Sequence, residues 1–291
     1  MNIPKPSCIQ IHDPLFTTAG IDLKLWKLGE AQPGVGGNKS YKLKYNIEAF
    51  RKSGLRAILT TGGAYSNHIA ATAAAGAAYG FPTIGIIRGD ASEILNPTLL
   101  LARERGMEIR FMDRETYRDK KLLMLWIREH FGEENYIIPE GGSNEAGLKG
   151  CMEILDDLEW EPDLICCACG TGTTLAGIAS GVKGRRKTMG FPALKAAGFM
   201  QETLAGLAGR EVSGEVMLIH DYHFGGYAKH TPELIEFMAS FNLKQGFELD
   251  FIYTAKMMWG IYDLTRKGYF KKGQKILAVH TGGLQGNSSL L

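Results

Sequence analysis

The chain has 291 residues, of which 45% are hydrophobic and 22% charged, and a formal net charge of +2 at pH 7. This composition is typical of a soluble globular protein, and so small a net charge gives no argument for a nucleic-acid or membrane partner. No secretory leader or spanning helix is expected, since residues 1–10 contain two prolines and no run approaches the roughly 20 apolar residues that cross a bilayer.

Short apolar runs alternate with helical patterns, which predicts an α/β protein with mostly parallel sheets. Strands are predicted at residues 23–27, 57–60, 83–88, 108–112, 136–138, 164–168, 188–191, 215–220 and 275–279. Helices are predicted at residues 41–52, 67–79, 97–105, 119–131, 144–158 and 175–181. So many strands favour two open, twisted sheets flanked by helices. Their grouping gives a large domain of residues 1–44 and 152–291 and a small domain of residues 45–151.

Lys39 follows two glycines and an asparagine at the predicted start of a helix. The positive end of the helix dipole disfavours a cation there, so a lysine at this place tends to lose its proton. A neutral lysine amine is a nucleophile that can form a Schiff base. Taken alone, however, the pattern favours a solvated surface lysine in a basic run with Lys42 and Lys44.

The strand predicted at residues 57–60 leads through two glycines into a helix N-terminus. Such a turn presents several free backbone N–H groups, which is typical of an anion site. Ser66 and Asn67 add directed side-chain donors. Either residue could also be the N-cap of the helix, and one turn can combine both roles.

A second strand end, after residues 164–168, predicts a cradle for a single phosphate. It is formed by Gly170, Thr171, Gly172, Thr173 and Thr174. A Walker loop is excluded because no Gly-Lys-Ser or Gly-Lys-Thr is present. The dinucleotide fingerprint is weakened because Leu175 stands where it needs a third glycine, and no carboxylate ends the next strand. A nicotinamide oxidoreductase is therefore the weaker alternative.

The five cysteines do not predict a disulfide framework or a metal site. Their number is odd, and Cys166 and Cys169 lack a second pair of ligands. Together with Cys167, they are interpreted as small core residues of a buried strand. A reducing cytoplasm is the location that fits best.

Thr281 ends the last predicted strand between His280 and two glycines, and could place a neutral hydroxyl against a flat ligand. The carboxyl ends of parallel strands open on one crevice, so these groups should meet. Together they match pyridoxal 5'-phosphate, with its aldehyde at Lys39, its phosphate at residues 170–174 and its ring nitrogen at Thr281. The carboxylate of an amino-acid substrate would then meet residues 65–67.

With these motifs combined, the chain resembles the tryptophan-synthase-β-like pyridoxal enzymes of fold type II. Within them it is similar to the group of D-cysteine desulfhydrases and 1-aminocyclopropane-1-carboxylate (ACC) deaminases. The resemblance covers nearly the whole chain. It implies a small amino-acid substrate, a homodimer, and a large domain that holds the cofactor beside a small substrate-side domain.

The resemblance also implies individual roles. Lys39 matches the Schiff-base lysine and Lys42 a phosphate contact. Asn67 matches the partner of the ring hydroxyl, while Ser66 and its neighbours lie by the substrate. The resemblance implies these substrate-side residues: Tyr65, Ser66, Asn67 and His68. It implies these catalytic residues: Lys39, Ser66, Tyr227 and Tyr253.

Two departures concern the substrate pocket. Tyr41 stands where the family commonly has arginine, and Ala228-Lys229-His230 follows Tyr227 in place of the usual Gly-x-Pro. These departures leave open a pyridoxal-binding protein without turnover.

Two threonines favour one activity within the group. The deaminases resemble each other in a glutamate directly after the second tyrosine and a leucine before the last Gly-Gly, where this chain has Thr254 and Thr281. A threonine leaves the ring nitrogen neutral, a weaker electron sink that suits β-elimination. With His68 in place of glutamine, this favours conversion of D-cysteine to pyruvate, ammonia and hydrogen sulfide. Ring opening of ACC to 2-oxobutanoate and ammonia is the alternative.

Overall fold

A computed structural model describes residues 1–90, 95–182, 186–195, 206 and 215–290. The strands are β1 (Ser7–Gln10), β2 (Asp22–Lys27), β3 (Glu30–Gln32), β4 (Val35–Gly36), β5 (Ala57–Gly63), β6 (Thr83–Arg88), β7 (Met107–Met112), β8 (Asn135–Ile138), β9 (Leu164–Cys169), β10 (Lys187–Pro192), β11 (Val216–Leu218) and β12 (Lys275–His280). Every predicted strand is present, with ends shifted by a few residues.

The α-helices of the described residues are α1 (Pro14–Ala19), α2 (Asn38–Ser53), α3 (Asn67–Tyr79), α4 (Pro97–Glu104), α5 (Arg114–Arg118), α6 (Lys120–Phe131), α7 (Glu145–Met152), α8 (Thr173–Gly181), α9 (Pro232–Gln245) and α10 (Thr254–Arg266). Short 3₁₀ segments lie at Glu140–Gly142 and Leu284–Leu290. None of the helices in the described ranges is long and apolar enough to cross a membrane.

The larger sheet has the strand order β1-β2-β12-β9-β10-β11. Its pairings are parallel except that of β1 with β2. All six residues of the central strand β9 are buried, because helices cover both faces of a parallel sheet. Cys166, Cys167 and Cys169 lie there as free thiols, which confirms their interpretation as core residues.

The smaller sheet is entirely parallel, with the strand order β7-β6-β5-β8. Strands β3 and β4 pair antiparallel as a separate two-stranded sheet. The fold is therefore α/β, and its two larger sheets are mostly parallel, as predicted. All strands of the smaller sheet lie within the predicted small domain, but α2 runs unbroken through the boundary at residues 44 and 45. The domain division stays a prediction.

Several features differ from the sequence prediction, and α1, α9, β1, β3 and β4 were not among the predicted elements. The helix predicted at 144–158 ends at Met152, and the chain continues in turns closed by hydrogen bonds between residues three apart. The strand predicted at 215–220 is confined to Val216–Leu218. Helix α10 was not among the predicted elements either, although its N-cap is Tyr253, a predicted site residue.

Candidate active site

One cavity of about 870 Å³ lies at the carboxyl ends of β5, β9 and β12, within the range of about 300 to 1,000 Å³ typical of ligand sites. Most of the predicted site residues line it: Lys39, Lys42, Ser66, Asn67, His68, Gly170, Thr171, Gly172, Thr174, Tyr227, Tyr253 and Thr281. The structure thus brings together residues that the chain separates by more than two hundred positions.

Lys39 is the second residue of α2, as the sequence predicted. Gly37 before it has a φ of 57°, and a Cβ there would lie 1.9 Å from the carbonyl oxygen of Thr281. Only glycine can therefore begin this helix against the end of β12. The backbone N–H of Asn38 donates to the Thr281 carbonyl over 3.1 Å, which holds Lys39 beside that strand end.

The Lys39 amine is half-buried and lies 3.3 Å from Oδ1 of Asn38. Burial, and next the charge of Lys42, lower the pKa of Lys39 to about 7. Lys42 is itself buried and donates to the carbonyl oxygen of Gly141 over 2.8 Å. About half of the Lys39 amine is consequently neutral at pH 7, which is the state in which lysine acts as a nucleophile.

The predicted phosphate cradle is the N-terminus of α8. Gly172 precedes the helix with a φ of 86°, and no side chain among the described residues caps its first turn. Nδ2 of Asn38 donates to Oγ1 of Thr174 over 2.9 Å, so the starts of α2 and α8 are tied together. Two helix N-termini and the Lys42 ammonium therefore converge, which favours an anion.

Thr173 differs from its neighbours in this segment. Its side chain is fully buried, and its hydroxyl donates to Oγ of Ser143 over 2.9 Å, outside the cavity lining. The sequence could not reveal this orientation, because successive helical residues point about 100° apart.

The turn before α3 supplies both the N-cap of that helix and part of the cavity lining. Oγ of Ser66 accepts from the backbone N–H groups of His68 and Ile69 over 3.2 and 3.3 Å, which confirms it as the N-cap. Ser66 and Asn67 also line the cavity, and Oδ1 of Asn67 accepts from Nε2 of Gln285 over 2.7 Å. The side chain of Tyr65 is 41% exposed and does not line the cavity.

His68 belongs to the cavity lining and has two buried ring nitrogens without a partner among the described residues. Its side chain is only 1% exposed, yet neither ring nitrogen has a hydrogen-bond partner in the described part of the chain. Burial, with the charges of Lys39 and Lys42, holds the pKa of His68 well below its usual value, so the imidazole is neutral. An unpaired buried polar group costs about 1 to 3 kcal/mol, which a ligand in the cavity could offset.

Tyr227 and Tyr253 also line the cavity, with ring centroids 6.3 Å apart and ring planes at 62°. The hydroxyl of Tyr227 donates to the Tyr65 carbonyl over 3.4 Å. Burial, and next the charge of Glu140, raise the pKa of Tyr227 to about 12, and burial raises the pKa of Tyr253 well above its ordinary value. Both phenols are protonated at neutral pH and can donate hydrogen bonds.

The two threonines that separated the alternatives lie in different surroundings. Thr281 lines the cavity. Thr254 does not line it, and its hydroxyl is buried and donates to Oδ2 of Asp250 over 2.6 Å. Of the two threonines, only Thr281 lies in the lining of the cavity.

The departures from the family pattern lie outside the cavity lining. Tyr41 is 5% exposed and packs in a core cluster with Trp26 and Cys151. Lys229 is exposed, and the ring of His230 packs edge-on against Phe251. None of Tyr41, Ala228, Lys229 and His230 lines the cavity.

Several cavity residues were not predicted from the sequence: Asn38, Arg88, Glu140, His280 and Gln285. Glu140 could have been predicted, because Glu140-Gly141-Gly142 follows β8 and is a fourth strand end with glycines. Its carboxylate accepts from the hydroxyl of Tyr117 over 3.1 Å. Gln285 lies in a 3₁₀ segment that carries no comparable pattern.

Comparison with known proteins decides the family. A sequence model of the family described as pyridoxal-phosphate dependent enzyme matches residues 13–282. The chain belongs to this family. Its fold is fold type II, and its cofactor is pyridoxal 5'-phosphate.

Individual relatives agree with this family. A Pyrococcus horikoshii protein named provisionally as a 1-aminocyclopropane-1-carboxylate deaminase is 32% identical, over 98% of this chain and 91% of its own length. The Arabidopsis thaliana mitochondrial bifunctional D-cysteine desulfhydrase/1-aminocyclopropane-1-carboxylate deaminase is 31% identical, over 87% of this chain and 70% of its own. A crystal structure of an ACC deaminase homologue superposes with a TM-score of 0.80 at 28% identity, over 99% of this chain and 94% of that one.

The cavity of this pyridoxal-phosphate-dependent enzyme fits its cofactor on two structural grounds. The uncapped start of α8 offers backbone N–H groups to a phosphate, with Lys42 near enough to influence Lys39. His68, which also lines the cavity, has a neutral ring whose two buried nitrogens have no partner among the described residues. The nicotinamide alternative is thereby set aside.

The lowered pKa of Lys39 predicts how cofactor capture depends on pH. Only the neutral amine attacks an aldehyde, so the capture rate of the apoprotein should rise through about pH 7 and then level off, instead of rising near the ordinary 10.5. Stopped-flow absorbance after mixing with pyridoxal 5'-phosphate measures this rate. In Lys42→Met the nearest charge is lost, so the rise should move to higher pH. A wild-type rate that rises only near pH 10.5 would contradict the assignment.

Proposed function

We propose that the protein is a lyase that removes the β-substituent of a small amino acid, with D-cysteine converted to pyruvate, ammonia and hydrogen sulfide. The observation that carries this proposal is the presence of Thr281, a neutral hydroxyl, at the end of β12, while Thr254 is turned toward Asp250. A neutral partner leaves the ring nitrogen of the cofactor unprotonated. The weaker electron sink that results suits a reaction in which the β-substituent is expelled at once. The Arabidopsis relative carries both candidate activities in its name.

In this proposal Lys39 has two roles. Its amine would hold the cofactor through the aldehyde, and the free amine would remove the Cα proton of the substrate as general base. Its pKa of about 7 leaves enough neutral amine for this step. When bound, the cofactor supplies the electron sink for the carbanion.

The other residues bind and orient. We assign the phosphate to Lys42 and residues 170–174, and the ring hydroxyl to Asn67. Ser66, Asn67 and His68 would receive the substrate carboxylate, together with the backbone of Tyr65, whose side chain lies outside the cavity. Tyr227 and Tyr253, as protonated phenols, would orient the substrate and supply a proton to the leaving sulfur.

The alternative is an ACC deaminase, which the name of the Pyrococcus relative favours. The cyclopropane substrate has no α-proton, so its ring must be opened by attack or protonation. A weak electron sink supports that step poorly.

A side-by-side assay separates the two activities. Purified enzyme should form pyruvate and sulfide from D-cysteine and pyruvate from β-chloro-D-alanine, with little ammonia from ACC. Thr281→Ser should retain this turnover because it keeps the hydroxyl, whereas the isosteric Thr281→Val should lower it. Efficient release of 2-oxobutanoate from ACC, with no pyruvate from D-cysteine, would overturn the proposal while leaving the family and cofactor unchanged.

A further inference from the structure

Lys256 is a buried cation with no carboxylate within ion-pair distance among the described residues. Its side chain is 1% exposed, in the first turn of α10, and it makes no ion pair within 4.0 Å among the described residues. Burial of an ammonium is unfavourable, and the positive end of a helix dipole adds to the cost. A position so unfavourable for lysine calls for interactions that compensate it.

The compensation comes from two backbone carbonyl groups of one loop. Nζ of Lys256 donates to the carbonyl oxygens of His223 and Gly226 over 2.9 and 2.7 Å. The same two oxygens already accept the bonds that close the loop, from the N–H of Gly226 over 3.0 Å and of Lys229 over 3.2 Å. The Lys256 ammonium therefore binds the two carbonyl oxygens at which the turns of the loop close.

This loop has an unfavourable backbone and carries Tyr227. Phe224 and Ala228 have φ values of 50° and 55°, and they are the non-glycine residues with positive φ in the described part of the chain. Gly225 and Gly226 between them have φ values of 88° and 116°. L-residues adopt such values only when the surrounding contacts impose them. The Lys256 ammonium adds two hydrogen bonds that tie the backbone just before Tyr227 to α10.

The same helical turn holds the second tyrosine. Tyr253 is the N-cap residue of α10, three positions before Lys256. The carboxylate of Asp250 accepts from the backbone N–H groups of Tyr253 and Thr254 over 2.8 and 3.0 Å, which fixes the start of the helix. Tyr253 is thus held directly by α10, and Tyr227 is held through Lys256.

We propose that Lys256 is a positioning residue for catalysis, whose ammonium fixes the loop of residues 223–228 and so places Tyr227 against Tyr253. The inference rests on the catalytic role proposed for Tyr227. Lys256 does not line the cavity, so it acts on the reaction only through the loop.

Lys256→Met tests this inference, because methionine has similar length and no hydrogen-bond donor. We expect kcat on D-cysteine to fall about 100-fold, as for a small misplacement of a reacting group, with cofactor affinity and visible absorption unchanged. Lys229→Met is the matched control: it removes the exposed lysine that directly follows this loop and should leave kcat unchanged.

A double-mutant cycle with Tyr227→Phe shows whether Lys256 acts through Tyr227. If it does, Lys256→Met should lower kcat much less in the Tyr227→Phe background than in wild type. Equal losses in both backgrounds would contradict the inference. Wild-type kcat in Lys256→Met would contradict it as well.

Chemical rescue keeps the test informative if Lys256→Met does not fold. Lys256→Ala lacks the atoms of propylamine, and added propylamine should restore part of its kcat, whereas propan-1-ol, which carries no charge, should not. Failure of propylamine to raise kcat would overturn the inference. If the wild-type enzyme itself gave no pyruvate from D-cysteine, the proposed function would fail, and the same variants would then be compared on the substrate that is turned over.

Discussion

Replacing Lys39 with alanine should abolish both turnover and the visible absorption band of the bound cofactor, while the protein stays folded. The amine is the nucleophile and the general base of the proposed reaction, so no other group at this position can substitute for it. In the apoprotein its only described side-chain hydrogen bond is to Asn38, and its half-buried charge has a lowered pKa. Between about pH 7 and 10.5 the unfolded state therefore binds more protons than the folded state, so the charge of Lys39 lowers the free energy of unfolding. Removing Lys39 should consequently not destabilise the apoprotein.

Absorption spectra, a pyruvate assay and thermal unfolding of the Lys39→Ala variant measure these effects together. Lys44→Ala is the matched control, since Lys44 lies on the same helix, does not line the cavity and pairs with Glu153. It should keep the band and the activity. A Lys39→Ala protein that retained turnover would show that another amine performs the chemistry.

The second large effect is expected at the phosphate cradle. Gly172→Asp should weaken cofactor affinity by more than about 100-fold, because it places a negative charge beside the phosphate at the start of α8 and strains a residue with a φ of 86°. Thr174→Ala removes one hydroxyl and should cost about tenfold, the equivalent of about 1.4 kcal/mol. Titration of each apoprotein with pyridoxal 5'-phosphate measures both dissociation constants.

Gly172→Asn separates charge from strain in this experiment. Asparagine has the shape of aspartate without its charge, and it tolerates positive φ. The Gly172→Asn protein should therefore retain most of the wild-type affinity for the cofactor. Equal affinity in wild type and Gly172→Asp would rule out residues 170–174 as the cradle.

Residues at strand ends could be predicted from the sequence because the parallel-sheet rule needs no knowledge of side-chain direction. Lys39, the glycines of residues 170–174 and Thr281 meet for that reason, since each follows a recognisable strand or opens a helix. The rule fails where orientation matters. Thr173 and Thr174 are adjacent, yet one hydroxyl donates to Ser143 and the other accepts from Asn38.

The tyrosines and Lys256 show a second limit. Tyr227 and Tyr253 were predicted through family resemblance alone, because neither belongs to a predicted strand or helix. The position of Lys256 depends on carbonyl groups some thirty residues earlier in the chain, and backbone carbonyl groups leave no mark in a sequence. Tyr41 shows the opposite error. Because the family commonly has arginine at this position, the sequence suggested an effect on the substrate pocket, but the side chain of Tyr41 packs in the core.

The most direct test of the whole account is the site of covalent cofactor attachment. The holoenzyme is reduced with borohydride and digested, and the peptide that carries the phosphopyridoxyl group is identified by mass spectrometry. The account predicts the group on Lys39 and on no other lysine. Attachment to Lys42 or to any other lysine, or a reduced protein that carries no phosphopyridoxyl group, would contradict it.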